Sequence, residues 1–321
     1  MTANWDGLHW DGWQDAGEIR ARLAAGADPD SMGGHGHPLR EAAVYGSPEG
    51  VAELARHVSD VAATGWRGTT ALWEAVEADR PDNARALVAA GADPWKAELA
   101  GWSPGRLALA GPVPDLFPLP EGEPGLSGAE RAAVERARRL TAALGKPSVD
   151  GTGLACVAGI DAAEAIRRLG AAPVEDEEFM DAFVEQPWAY PMSEGLRLAG
   201  VTTVPGGCVV TQPWGYAPYT TEAMAALTVG TFGYALFANP KSGNQGMIQR
   251  DGEVEGWDLH PGGGPRPGDG PEEVLAAYLY RRDAVAYACA FAGLEPEDAR
   301  AVTGPADVWV RLPEAGSTGS R

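Results

Sequence analysis

His37-Pro38-Leu39-Arg40-Glu41-Ala42-Ala43 is followed 33 residues later by Thr70-Ala71-Leu72-Trp73-Glu74-Ala75-Val76, and after the same interval by Ser103-Pro104-Gly105-Arg106-Leu107-Ala108. The ends of the units keep step as well, in Gly26-Ala27-Asp28-Pro29, Val58-Ser59-Asp60 and Gly91-Ala92-Asp93-Pro94. A period of this length marks units that cannot bury an apolar face alone and must stack on one another. Each unit spells two helices. Pro38 suits a first helical turn, where its missing N–H is an orphan in any case. Leu39, Ala42 and Ala43 give a narrow face of small side chains that allows close helix approach. Ser47 then reads as an N-cap with Pro48 behind it, and Val51, Leu54 and Ala55 form the next apolar face. The following unit repeats the scheme with Leu72, Ala75 and Val76, a turn at Asp79-Arg80-Pro81-Asp82, then Ala84, Leu87 and Val88.

Residues 5–30 read as a worn first unit, in which Gly7-Leu8-His9-Trp10 replaces the inner-helix start and Gly26 ends the helix through Ile19 and Leu23. A fourth unit begins at Gly101-Trp102-Ser103-Pro104 and dissolves at Gly111-Pro112-Val113-Pro114, and Gly105 where Leu is expected argues for a cap in place of a full helix there. Residues 1–111 therefore resemble ankyrin repeats, with His37 and Ala71 standing where the family usually has Thr and Pro. The resemblance implies an α-solenoid of paired helices with projecting loops, and partners met by loop tips and the open side of each first helix. Carried onto this chain, those positions are Arg40, Val44, Tyr45, Trp66, Arg67, Trp73, Glu77, Trp102 and Arg106. Trp, Tyr and Arg are the types enriched at the energetic centres of interfaces. The competing reading is that some of these rings pack on the chain's own linker, for example Val113-Pro114-Asp115-Leu116-Phe117, or on the second domain.

Residues 112–149 read as a Pro-rich linker followed by a connecting helix, opened by the capping box Ser127-Gly128-Ala129-Glu130 and carrying Arg131, Arg136, Arg138 and Arg139. Residues 150–313 read as an α+β domain with a mostly antiparallel sheet and helices on one face. Its signals are a helix from Asp161 to Gly170, acid at a helix start in Glu175-Asp176-Glu177-Glu178, and a helix from Thr221 to Leu227. Strands are expected at 207–211, 231–237, 246–250 and 253–257, the last two joined by the hairpin cue Asp251-Gly252, and at 308–310. Pro271 is expected to start one long helix through Phe291, and Pro296 to Val302 a short one. Residues 314–321 read as a disordered tail. This half resembles, more weakly, an actinobacterial domain family without assigned function, through Gly159-Ile160-Asp161 to Leu169-Gly170, Leu227-Thr228-Val229-Gly230-Thr231 and Asp251-Gly252-Glu253-Val254. The resemblance implies a fold and no activity.

Chemistry is harder to find. The chain lacks HExxH, a phosphate loop and a dinucleotide fingerprint. His35-Gly36-His37 is the one close histidine pair, and without a third ligand it reads as a turn and helix start rather than a metal site. Cys156, Cys208 and Cys289 read as buried small hydrophobes in a reducing cytosol. No metal or cofactor is expected. A net charge of -20, from 45 acidic against 25 basic residues, repels nucleic acid and anionic membranes and complements a basic protein patch. No apolar run spans a bilayer and the N-terminus lacks a signal pattern, so a cytoplasmic location is expected. The residues thus point to a non-enzymatic binding protein acting as inhibitor, immunity protein or scaffold for a basic partner. The alternative is a ligand-binding or catalytic C-terminal domain, with Trp188, Tyr190, Trp214 and Tyr216 around a pocket and the repeats as a targeting module.

Overall fold

The computed structural model describes residues 4–32 and 36–314, so His35 and the tail from residue 315 lie outside the described residues. In chain order the main elements are α1 (Ala16–Ala24), α2 (Pro38–Tyr45), α3 (Pro48–Ala55), α4 (Ala71–Glu77), α5 (Pro81–Ala89), α6 (Pro104–Ala110) and α7 (Gly128–Leu144). There follow β1 (Gly153–Ala158), α8 (Ala162–Leu169), β2 (Ala172–Pro173), α9 (Glu177–Glu185), α10 (Met192–Gly195), β3 (Leu198–Val204) and β4 (Gly207–Gln212). The remainder is α11 (Thr221–Leu227), β5 (Phe232–Asn239), β6 (Gly243–Arg250), β7 (Glu253–Asp258), α12 (Pro271–Leu279), α13 (Ala284–Phe291), α14 (Arg300–Thr303) and β8 (Val308–Arg311). The chain forms two compact units, Met1–Val134 with Gly264–Leu279, and Glu135–Gly263 with Tyr280–Arg321. The sequence places 150–313 in one domain; the fold instead returns residues 264–279 to the first unit.

The first unit is helical. Its helices start where local chemistry satisfies their orphan amides. Ser47 Oγ accepts from Gly50 N at 3.2 Å, Thr70 Oγ1 from Trp73 N at 3.2 Å, and Ser103 Oγ from Arg106 N at 3.2 Å. Helix α2 packs on α3 and α4 on α5, while α2 lies against α4 and α4 against α6, and α1 against α3 and α3 against α5. The shared core holds Ile19, Leu39, Leu54, Leu72, Leu87 and Leu107, each at most 1% exposed. Buried Asn83 donates to the carbonyls of Ala43 (2.9 Å) and Gly46 (3.0 Å), tying α5 to the end of α2. Gly105 does not break the fourth unit's helix. Its amide donates to Pro94 O at 2.6 Å, and a Cβ there would meet that oxygen at 2.8 Å and the Trp95 ring at 2.9 Å, so only glycine fits. The stretch after α6 docks on the same core through Leu116 and Phe117.

The second unit is built on an eight-stranded sheet in the order β2-β8-β3-β4-β1-β5-β6-β7, with every neighbouring pair antiparallel. Helices cover both faces, not one. Ala155, Val157, Cys208, Val210 and Ala235 face α8 and α11 in one core cluster. From the opposite face Cys156 meets Cys289 of α13, and Thr211 Oγ1 donates to Ala301 O of α14 at 2.7 Å. Asp161 caps α8 through Glu164 N (2.8 Å), and Gly170 ends it in the left-handed region at φ 60°. The expected long helix from Pro271 is two helices, α12 and α13. Arg282 takes φ 65°, and Asp283 accepts from Ala286 N at 2.9 Å to start the second. The last short helix is Arg300–Thr303, shorter than the expected span from Pro296.

Candidate functional site

In the first unit the inner positions of α2, α4 and α6 carry Arg40, Trp73 and Arg106, equivalent residues of successive periods. Each is engaged by the chain itself. Arg40 pairs with Glu74, the two side chains each 13% exposed, and the Arg40 guanidinium fills the space above Gly65. The Trp73 indole is fully buried, and its Nε1 donates to Glu77 Oε2 at 2.9 Å. Arg67 bridges the same carboxylates, at 3.1 Å to Glu77 and 3.4 Å to Glu74. Burial pulls the Arg67 guanidinium down, but Glu77 and Glu74 outweigh it and hold its pKa above the ordinary value. Arg106 donates to Glu130 of α7 at 2.8 Å and lies over the Trp102 ring, 4.6 Å from its centroid.

Residues 264–279 close over this row. Pro265 O accepts from Arg67 at 3.4 Å, and Pro271 O accepts from the Trp102 indole at 2.9 Å. Val274, Leu275 and Tyr278 of α12 are buried in the same core as Trp73 and Trp102. The open aromatic face expected from the sequence is therefore not present at Trp73 and Trp102, which are 0% and 1% exposed. Arg40, Arg67, Glu77 and Arg106 are likewise occupied by internal hydrogen bonds and ion pairs. The physical reason is desolvation: once covered, a charged side chain must find a partner, and this row is arranged so that each does. Val44 is half-buried, Tyr45 is 45% exposed and Trp66 is 80% exposed, so accessibility shifts to these positions.

Sequence reasoning missed the acidic partners Glu74, Glu98 and Glu130 and the covering prolines. Glu98 accepts from Thr70 N at 2.9 Å and Thr70 Oγ1 at 2.8 Å, and burial holds its carboxyl above the usual carboxylate range. The Ser127-Glu130 capping box forms as its spacing predicts, at 2.7 and 3.1 Å, and there Glu130 also serves Arg106. Glu74 had a signal, since Glu41 and Glu74 fall at one phase of the period.

The four aromatics of the alternative pocket are divided among three contacts in the second unit. Trp188 meets Trp214 edge-on at 6.5 Å, Tyr190 packs on Phe179 and Phe183 at 5.5 and 5.3 Å, and Tyr216 meets Phe237 at 5.9 Å. Cys156 and Cys289, remote in sequence, lie 3.8 Å apart sulfur to sulfur. Among the described residues no group of three or more His, Cys, Asp or Glu is placed to hold a metal ion. His37 sits near Asp30, its Nε2 3.8 Å from the carboxylate, and burial lowers its pKa. No helix among the described residues is long and apolar enough to cross a membrane. No protein-family model matches the chain, and no curated protein matches it significantly.

Proposed function

We propose that the chain is a protein-binding module whose first unit is an ankyrin-type stack, and that it engages a basic partner through its exposed loops rather than its inner face. The stacking of α2 on α4 on α6 at 33-residue intervals, and of α1 on α3 on α5 at 32 and 33, supports the repeat reading. The observation that carries the binding reading is Trp66. It projects from the turn before α4, 80% exposed, between Gly65 and the left-handed Gly68 (φ 79°), in a unit that buries Trp73 and Trp102 completely. An exposed indole, with a large apolar face and a polar N–H, suits contact with another molecule. The excess of acid supplies long-range attraction for a cationic partner and speeds its capture. Inhibitor, immunity and scaffold roles all use such a surface.

The test is quantitative capture from the native host lysate, with wild-type, Trp66→Ala and Trp188→Ala baits, the last also an exposed tryptophan (65%) but in the second unit. A partner retained by wild type and Trp188→Ala and lost from Trp66→Ala supports the proposal. Equal recovery of every protein by the wild-type and Trp66→Ala baits removes it.

A further inference from the structure

The chain has 3 cysteines among 321 residues, and the fold brings two of them into contact. Cys156 lies on β1, an interior strand paired with β4 on one side and β5 on the other. Cys289 lies on α13, which packs on β5. The two sulfurs are 3.8 Å apart although 133 residues separate them, and both residues are fully buried. Rigid neighbours hold the two elements together. Tyr234 of β5, the cross-strand partner of Cys156, packs on Tyr287 and Phe291 of α13 at 5.7 and 5.2 Å. The third cysteine, Cys208, is kept apart: it belongs to the apolar cluster on the opposite face of the sheet, with Ala155 and Val157.

We propose that Cys156 and Cys289 close to a reversible disulfide under a peroxide oxidant, locking α13 onto β1. One thiolate attacks a peroxide oxygen and the O–O bond breaks; one oxygen stays on sulfur as a sulfenic acid, and the other leaves as water with the thiol's proton. The second thiol attacks that sulfur, and the sulfenic oxygen leaves with its two protons as a second water. Two thiols and one hydrogen peroxide thus give one disulfide and two waters. A disulfide holds its sulfurs at about 2.05 Å, so the two side chains together supply an approach of about 1.8 Å. No metal competes for the pair, since among the described residues no third His, Cys, Asp or Glu is placed to complete a site. Burial sets the rate. The contact with Cys289, and burial, hold the Cys156 thiol above its ordinary value, and peroxide reaches the pair only when α13 opens locally. The device is therefore a slow lock answering sustained oxidant, not a fast sensor. Its bond closes a loop of more than a hundred residues, which restricts the unfolded chain and stabilises the fold. The inference is independent of the partner-binding reading.

The full chain, reduced and freed of reductant, is held near neutral pH with excess hydrogen peroxide, sampled over hours to days, alkylated in denaturant, digested without reductant and mapped by mass spectrometry. The expected result is a single cross-linked peptide pair carrying Cys156 and Cys289, absent after dithiothreitol, with Cys208 recovered as the alkylated thiol. The melting midpoint of the cross-linked chain is expected to rise by about 5 °C or more and to fall back on reduction. Cys208→Ala keeps the cross-link and Cys289→Ala loses it. Should Cys289→Ala fail to fold, the map of the wild-type chain decides alone. Sulfinic acid at Cys156 or Cys289 in place of the cross-link, a disulfide through Cys208, three thiols left intact after days of exposure, or a cross-linked chain that melts below the reduced one overturns the proposal. Trp66→Ala is oxidised as wild type is, so this inference and the loop-binding reading fail separately.

Discussion

Trp102→Ala tests whether the inner row is structural. In the native chain this ring is 1% exposed, donates to Pro271 O at 2.9 Å and carries the Arg106 guanidinium 4.6 Å from its centroid. Truncating a buried tryptophan to alanine costs about 3–5 kcal/mol through lost burial and the cavity left behind. Loss of the indole donor adds about 1 kcal/mol, and the cation–π contact about 0.5–1 kcal/mol, though the three overlap and do not simply add. A loss of about 4 kcal/mol is a large share of the roughly 5–15 kcal/mol that holds a typical domain. With a urea slope of about 2 kcal/mol/M, the midpoint of the first unit falls by about 2 M. Trp66→Ala, at an 80% exposed ring, moves that midpoint by no more than about 0.5 kcal/mol in equivalent free energy. The assay is urea unfolding followed by far-ultraviolet circular dichroism, with near-ultraviolet signal to separate the transitions of the two units. Trp102→Phe, which keeps most of the ring but not its N–H, falls between the two. If Trp102→Ala unfolds within about 0.5 kcal/mol of wild type, residues 264–279 do not cover the row and the assignment of Trp102 to the core is wrong.

Two further outcomes follow from buried titrating groups. Burial holds the Glu98 carboxyl above its ordinary 4.5 despite two hydrogen bonds from Thr70, so the folded state grips that proton more tightly than the unfolded chain. Its contribution to stability is complete below pH 4.5 and fades as pH rises through the raised value; Glu98→Gln therefore gains on wild type across that window in thermal melts, and a difference independent of pH contradicts the argument. The three cysteines are buried, with Cys156 raised by its contact with Cys289 and by burial, and Cys208 pushed up to about 12 by burial. Ellman's reagent at pH 8 is expected to label all three only in denaturant; rapid labelling of Cys156 or Cys289 in the native chain refutes the packing of α13 on β1, and of Cys208 the cover of α8 on the other face.

Which parts of this molecule the sequence could reveal depends on how far apart the interacting residues lie. Helices α2 to α6 were legible because each period repeats its own start signals, a Ser or Thr cap or a Pro in the first turn, within a few residues. The Asp251-Gly252 hairpin was legible for the same reason, and both residues take positive φ, at 49° and 82°. Strand β1 was not, because Leu154, Ala155, Cys156 and Val157 are all buried, with helices on both faces of the sheet, which erases the polar alternation that marks a half-exposed strand. The break between α12 and α13 was hidden because Arg282, not glycine, takes the left-handed turn. For the candidate site the limit is sharper. The period does establish that Arg40, Trp73 and Arg106 are equivalent, and aromatic and arginine side chains at such positions suit an interface. They suit an internal seam equally well, since both demand large rings and charges that can be matched. Exposure decides between the two, and here it is set by Glu130 and by residues 264–279, whose apolar positions Val274, Leu275 and Tyr278 name no neighbour. Trp66 escapes because its glycine-flanked turn offers nothing to pack beneath, and Trp10 because the helix that should cover it is reduced to a single turn. Trp66 is thus left exposed at a turn inside a regular unit and Trp10 where the repeat pattern fails, so the strength of the pattern does not by itself say which rings stay open.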